Sequence, residues 1–207
     1  RDAWDVIVTS GDAIRAEIAA RAPGPAHCIG HAGDQVLWEG LGLEQAPLEA
    51  AQFLVVAGID HPDQPDAVAR STPLLRAALE RDLEFLCANP DRQVRVGSQL
   101  IWCAGALADA YEALGGRVIL AGKPHAPIYT LARAEVPGVA DPRILAIGDG
   151  LSTDVLGANQ QGLDCLFVAG GLLGDGLLAQ GALDPDKVSA ALTAAGAQAR
   201  YVMAELG

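Results

Sequence analysis

The chain has 207 residues, 51% hydrophobic and 19% charged, a composition that can bury a substantial core and excludes a disordered polypeptide. Its formal net charge of −12 argues against nucleic acid or an anionic membrane surface as the main partner. A small phosphorylated ligand stays compatible with that charge, because a bound cation reverses the local field. No segment reaches the roughly 20 consecutive apolar residues of a membrane span, and the opening residues do not read as a basic-then-apolar signal peptide. Cys28, Cys87, Cys103 and Cys165 show no CxxC spacing and read as reduced thiols of a cytoplasmic protein.

Val6-Ile7-Val8 predicts a buried strand, and Ser10-Gly11-Asp12-Ala13 opens a helix to about Arg21. The first residue, Arg1, is not Met and the sequence starts almost inside an element, which raises the expectation of further residues upstream. Residues 22–30 carry two prolines and read as a break and a candidate boundary. Residues 51–59 (AQFLVVAGI) predict a second buried strand followed by a His-Pro-Asp-Gln-Pro loop. Residues 66–82 look helical, with Pro73 marking a start or kink near Thr72. Residues 83–91 (LEFLCANPD) predict a third strand with a polar tip, and residues 99–116 a helix closed by glycines. A fourth strand falls in RVILAGKP (117–124) and a helix in 125–136. Two further strands, RILAIGDG (143–150) and LDCLFVAGG (163–171), bracket a short helix containing Asp154. Residues 189–197 predict a late helix, and 199–206 a final strand or helix.

Strand and helix alternate throughout, and the strands are apolar on both faces, as in a parallel sheet covered by helices; the fold class is α/β. In such sheets ligands bind outside the carboxyl ends of the strands. Two tips stand out. Lys123, one of only two lysines, follows its strand directly. A cation there can reach a phosphate or pair with a carboxylate, or it can be a solvated loop lysine. Asp149 lies between Gly148 and Gly150 after an apolar run, where the glycines permit a sharp turn and close approach to a ligand. A carboxylate so placed suits a hard cation such as Mg²⁺. Asp154, five residues on, falls in the first helical turn, where it could equally stabilise the helix dipole behind a Ser152 or Thr153 cap.

GKP after a strand, followed by AIGDGLSTDVLGANQQG, resembles motifs three and four of the haloacid dehalogenase-like (HAD) hydrolases. CANPD (87–91), VILAGKPHAPIY (118–129) and VTSGDA (8–13) resemble the class IIA branch, which includes p-nitrophenylphosphatases and phosphoglycolate, pyridoxal phosphate and nucleotide phosphatases. The resemblance implies a Rossmann-like core, residues 1–23 plus 122–207, with an inserted α/β cap over 24–121. It implies a Mg²⁺-dependent phosphomonoesterase working through an aspartyl-phosphate on a small phosphorylated metabolite. Lys123 would neutralise the phosphoryl group, Asp149 would bind the metal, and Asp154 would orient Lys123 or a metal-bound water. Asn89, Asp91 and Gly150 are the substrate-binding candidates, although Asn89-Pro90-Asp91 reads equally as a structural turn. A homodimer through the cap is the partner expected by analogy.

The family's mechanism starts from a DxD motif ending its first strand, whose first Asp is the nucleophile, and no strand here ends that way. The acids of 60–66 follow a strand assigned to the cap, and Asp184 and Asp186 follow a loop. Ser10 is a weak match for the motif-two hydroxyl, because TSGDA-like segments follow that motif. The resemblance therefore implies that the first two motifs lie upstream of Arg1 and that these 207 residues alone are inactive. The competing reading is a truncated or degenerate relative that binds a ligand or dimerises. An unrelated nucleotide-binding protein is disfavoured: no GxGxxG or GxxxxGK[ST] follows any strand, and Gly170, Gly171 and Gly174 have the wrong spacing. His27, His31 and His61 are not at metal spacing, His125 reads as a helix start or a substrate contact, and Trp38, Trp102 and Tyr111 read as packing.

Overall fold

A computed structural model describes residues 4–179 and 182–206. They divide between Gly122 and Lys123 into two compact units.

The first unit opens with helix α1 (Ser10–Ala19), started by a reciprocal cap in which Thr9 Oγ1 accepts from the Asp12 amide and Asp12 accepts from the Thr9 amide. The Thr9 hydroxyl also donates to Asp12 Oδ2 at 2.6 Å, and this bond, together with the one from the Thr9 amide, holds the Asp12 carboxyl below the usual range. The strands β1 (Ala26–Ile29), β2 (Phe53–Val56) and β3 (Glu84–Cys87) follow, with helix α2 (Ala67–Glu80) between the last two. A hairpin of β4 (Gln93–Val96) and β5 (Gln99–Trp102), helix α3 (Ala104–Ala113) and β6 (Val118–Leu120) complete the unit. The main sheet is parallel, in the order β1-β2-β3-β6. All four residues of β2 are buried, as a parallel strand covered on both faces must be. Leu54, Val56, Phe85, Leu75, Leu107 and Tyr111 share one core. Tyr111 stacks on Phe85 with centroids 5.5 Å apart and donates its hydroxyl to the Leu83 carbonyl at 2.7 Å. Arg21, just beyond α1, bridges Glu17 and Glu84, both at 2.7 Å, and so ties that helix to the start of β3. Residues before 24, grouped by the sequence reading with 122–207, thus place α1 in the first unit.

The second unit contains α4 (Ala126–Ala134), β7 (Leu145–Gly148), a π-helical turn (Leu151–Val155) running into α5 (Leu156–Gln160), and β8 (Asp164–Val168). Then come α6 (Gly174–Leu177), the short antiparallel pair β9 (Leu178–Ala179) and β10 (Ala182–Leu183), α7 (Pro185–Ala194) and β11 (Tyr201–Met203). Its sheet is parallel, in the order β11-β8-β7. One face buries Ala146, Cys165, Phe167 and Val202 against Val155, Ala158 and Val188. The alternate positions Leu145, Ile147 and Tyr201 are exposed. Among the described residues, no helix is long and apolar enough to cross a membrane.

Five local expectations change. Val6-Ile7-Val8 is not a strand; no described strand pairs with it, and Ile7 is 66% exposed. Residues 99–102 are β5 rather than the start of a helix. They pair with β4 across Gly97-Ser98, where Gly97 has the positive φ (+61°) that a tight hairpin turn needs, and α3 starts only after Cys103. The proline-rich break at 22–30 contains β1, which begins directly after Pro25. Pro73 lies within an unbroken α2, which simply has one intrahelical donor fewer there. The late helix starts earlier than expected, because Asp184 accepts the Lys187 amide and Pro185 occupies the first helical turn. The last segment resolves as strand β11.

Candidate active site

The second unit brings four of the sequence candidates, Lys123, Asp149, Gly150 and Asp154, together where β7 ends. Gly148 closes the strand, Asp149 leaves it, and Gly150 caps the π-turn, in which the Asp154 and Val155 amides both donate to the Gly150 carbonyl at 2.8 and 3.1 Å. A single π-turn is rare and recurs at functional sites. It bends Asp154 back over the strand end. Asp154 Oδ2 accepts the Gly150 amide at 3.0 Å, and Oδ1 pairs with Lys123 Nζ at 2.5 Å. The Asp154 side chain is 13% exposed and that of Lys123 is 48% exposed, so the carboxylate is sheltered and the ammonium faces outward.

This approach accounts for both flanking glycines. A Cβ at Gly148 would lie 2.4 Å from Asp154 Cβ, and one at Gly150 would lie 2.2 Å from Thr153 Oγ1. Beneath the turn, Tyr129 packs against Gly157, whose added Cβ would meet the phenol oxygen at 2.2 Å. Burial pushes the Tyr129 hydroxyl up to about 12, with the Asp154 charge adding to it, so it stays neutral beside the pair.

Asp149 is half-buried and its Oδ2 accepts the Leu172 amide at 2.9 Å. A cavity of about 210 Å³ beside it is lined by Ile147, Gly148, Val168, Gly171 and Leu206. A hard carboxylate oxygen between glycines, next to open space, fits Mg²⁺, which binds through one or two carboxylates and keeps several waters. Among the described residues no three His, Cys, Asp or Glu side chains gather to hold a metal, so Asp149 is a single carboxylate and not one wall of an all-protein cage. A larger cleft of about 560 Å³ lies at the opposite, amino ends of these strands. Its polar groups satisfy one another: Arg200 pairs with Asp164 at 2.6 Å, and Asn159 exchanges hydrogen bonds with the Gln198 backbone at 2.7 and 2.8 Å. Those side chains are thus taken up with one another.

Asn89 and Asp91 belong to the first unit, after the carboxyl end of β3. Asn89 Oδ1 accepts the Asp91 amide at 3.1 Å, which is the Asx turn expected of Asn-Pro-Asp, and the Asn89 carbonyl accepts from Cys87 Sγ at 3.2 Å. Ser10 is the first residue of α1, behind the Thr9 cap. His27 Nδ1 lies 3.1 Å from the Ala46 carbonyl, and the His31 amide donates to Asp34 at 2.7 Å. His125 stands at the start of α4. Asp184, set aside in the sequence as a loop acid, is a helix cap. Sequence reasoning missed the Gly171-Leu172 contact to Asp149; the paired glycines after β8 were its only visible sign.

Residues 120–195 match a family model described as HAD-hydrolase-like. The glycerol-3-phosphate phosphatase of Gallus gallus is 32% identical over 175 residues, covering 80% of this chain and 52% of that protein. The chain thus spans about half the length of this curated relative. A hydrolase of the haloacid dehalogenase-like family from Brucella suis is 39% identical, covers 99% of this chain and 73% of its own, and superposes with a TM-score of 0.68. The p-nitrophenyl phosphatase of Archaeoglobus fulgidus shares the fold at 23% identity and a TM-score of 0.67, covering 94% of this chain and 69% of its own.

Proposed function

This chain belongs to the haloacid dehalogenase-like hydrolase family, and on that premise we propose that it carries one side of a Mg²⁺-dependent phosphatase site acting on a small phosphorylated metabolite. The observation that carries the reading is the Lys123–Asp154 pair, 31 residues apart in sequence, locked by the Gly150 amide beside Asp149. Lys123 offers its ammonium to the phosphoryl oxygens. Asp154 holds that ammonium at the strand end, so the charge is in place before substrate arrives, which is the preorganisation that stabilises a transferring phosphoryl group. Asp149 would hold Mg²⁺, which when bound neutralises phosphoryl oxygens. Gly150 lets the substrate approach the backbone.

Residues 122–207 would form the core of the proposed enzyme and 24–121 its cap, with Asn89 and Asp91, on a turn after β3, as substrate-binding candidates. The Gallus gallus relative is a glycerol-3-phosphate phosphatase, which supports the reaction class. The aspartyl-phosphate of the proposed reaction is assigned to no residue of this chain, and the 207 residues alone are expected to show no turnover. Four free thiols, three of them buried, suit a reducing compartment such as the cytoplasm.

The test is hydrolysis of p-nitrophenyl phosphate with Mg²⁺ by the complete protein and its Lys123→Ala and Asp149→Ala variants. Each substitution should lower kcat/KM by about 100-fold or more, as loss of a preorganised charge does. Activity that survives both changes refutes the assignment, and turnover by the 207-residue chain refutes the placing of the nucleophile.

A further inference from the structure

The turn after β8 has a feature that packing does not explain. Ala169 and Gly170 extend the strand alongside β11, their amides donating to the Met203 and Ala204 carbonyls, both at 2.8 Å. The chain then reverses, with the Gly171 amide on the Val168 carbonyl and the Gly174 amide on the Gly171 carbonyl. At the apex Leu172 is 77% exposed, so its side chain adds almost nothing to a core. Its amide donates to Asp149 Oδ2 at 2.9 Å.

Both glycines are required by space. A Cβ on Gly170 would sit 2.3 Å from the Ala204 carbonyl oxygen, and one on Gly171 would sit 2.3 Å from Asp149 Oδ2 and 2.5 Å from Asp149 Cβ. Neither has the positive φ that would call for glycine on conformational grounds. The sequence therefore places its smallest residue where the turn presses hardest on this one carboxylate.

We infer that Gly171 and Leu172 are positioning residues for Asp149: the Leu172 amide holds Oδ2, fixes the plane of the carboxylate and presents Oδ1 to a divalent cation. The inference rests on the reading of Asp149 as the cation-binding carboxylate. The physical logic is that of an outer-shell hydrogen bond. A charge-assisted N–H···O bond restrains a carboxylate that would otherwise rotate, and Mg²⁺ tolerates little departure from octahedral geometry. Loss of such orientation weakens metal binding about 10- to 100-fold. Among the described residues, no hydrogen bond reaches Oδ1.

The test titrates Mn²⁺ into the ¹⁵N-labelled full chain and follows paramagnetic broadening of backbone amides, with Mg²⁺ as competitor. In the unaltered chain the Gly150 and Leu172 amides should broaden first, and Asp149→Asn should abolish the effect. Gly171→Ala should need about 10-fold more Mn²⁺ or beyond for the same broadening. Gly174→Ala, in the same turn but with its nearest neighbour at 4.0 Å, should match the unaltered chain. If Gly171→Ala binds Mn²⁺ like the unaltered chain, the positioning role is overturned and the Asp149 site stands. If no broadening depends on Asp149, the cation reading fails and the positioning role with it. A second measurement does not need Gly171→Ala to fold. In Asp149→Ala, hydrogen exchange at the Leu172 amide should quicken about 10-fold or more, while the Ala169 and Gly170 amides keep their protection. Equal Leu172 exchange with and without the carboxylate overturns the inference.

Discussion

Asp154 has two oxygens with two jobs, and the jobs differ in energetic weight. Oδ2 satisfies the amide of buried Gly150, whereas Oδ1 pairs with a half-exposed lysine. A buried N–H stripped of its acceptor costs about 1–3 kcal/mol. An ion pair with one partner largely in solvent contributes about 0.2–1 kcal/mol and weakens with salt. Asp154→Ala loses both and should destabilise the fold by about 2–3 kcal/mol. Lys123→Ala loses only the pair and should cost about 0.5 kcal/mol. Asp154→Asn retains an amide oxygen for Gly150 and should fall between, near 1 kcal/mol. Urea denaturation followed by circular dichroism measures all three, repeated at low and at high salt. Added salt should erase the Lys123→Ala difference and leave most of the Asp154→Ala difference. A Lys123→Ala cost equal to that of Asp154→Ala, or an Asp154→Asn cost equal to it, would refute the view that the backbone bond dominates.

Gly105→Ala should destabilise by about 1–3 kcal/mol, although alanine is normally the better helix former, because its Cβ would lie 2.1 Å from the Pro90 carbonyl oxygen and 2.6 Å from that of Asp91. A thermal melt in which the variant is as stable as the parent would show that the turn yields. Burial pushes the Cys28 thiol up to about 11 and the Cys87 thiol up to about 12, from an ordinary 9.0. Above pH 9 the unfolded thiols ionise while the folded ones do not. Their contribution to stability is therefore intact below pH 9 and declines as pH rises through the folded values. Urea midpoints from pH 8 to pH 11 should fall less steeply for Cys87→Ala than for the parent, and parallel profiles would contradict the sign.

Where a strand is buried on both faces, its letters say so. Phe53–Val56, Glu84–Cys87 and Asp164–Val168 could be read as strands because a parallel ladder under helices admits few polar residues. Asp149 between glycines, Asp154 five residues on and Lys123 after its own strand were also legible, since strand tips are where α/β sheets expose chemistry. Short elements were not. Val6-Ile7-Val8 has strand composition but no strand neighbour among the described residues, and Gln99–Trp102 has helical company in sequence but a hairpin partner in space. Pairing across distance decides such cases, and a three- or four-residue run carries too little periodicity to reveal it.

The sequence by itself determined the α/β class, the main buried strands and the residue types available at the strand ends. The tertiary structure alone decided how those residues are held. The two roles of Asp154 depend on a π-turn that no periodicity announces, and Lys123 reaches it across 31 residues. The hold on Asp149 comes from the amide of Leu172, a group every residue but proline possesses and which therefore leaves no letter of its own. Side-chain chemistry is written in the sequence; the aim of a backbone N–H is set only when neighbouring strands fix where the turn must pass.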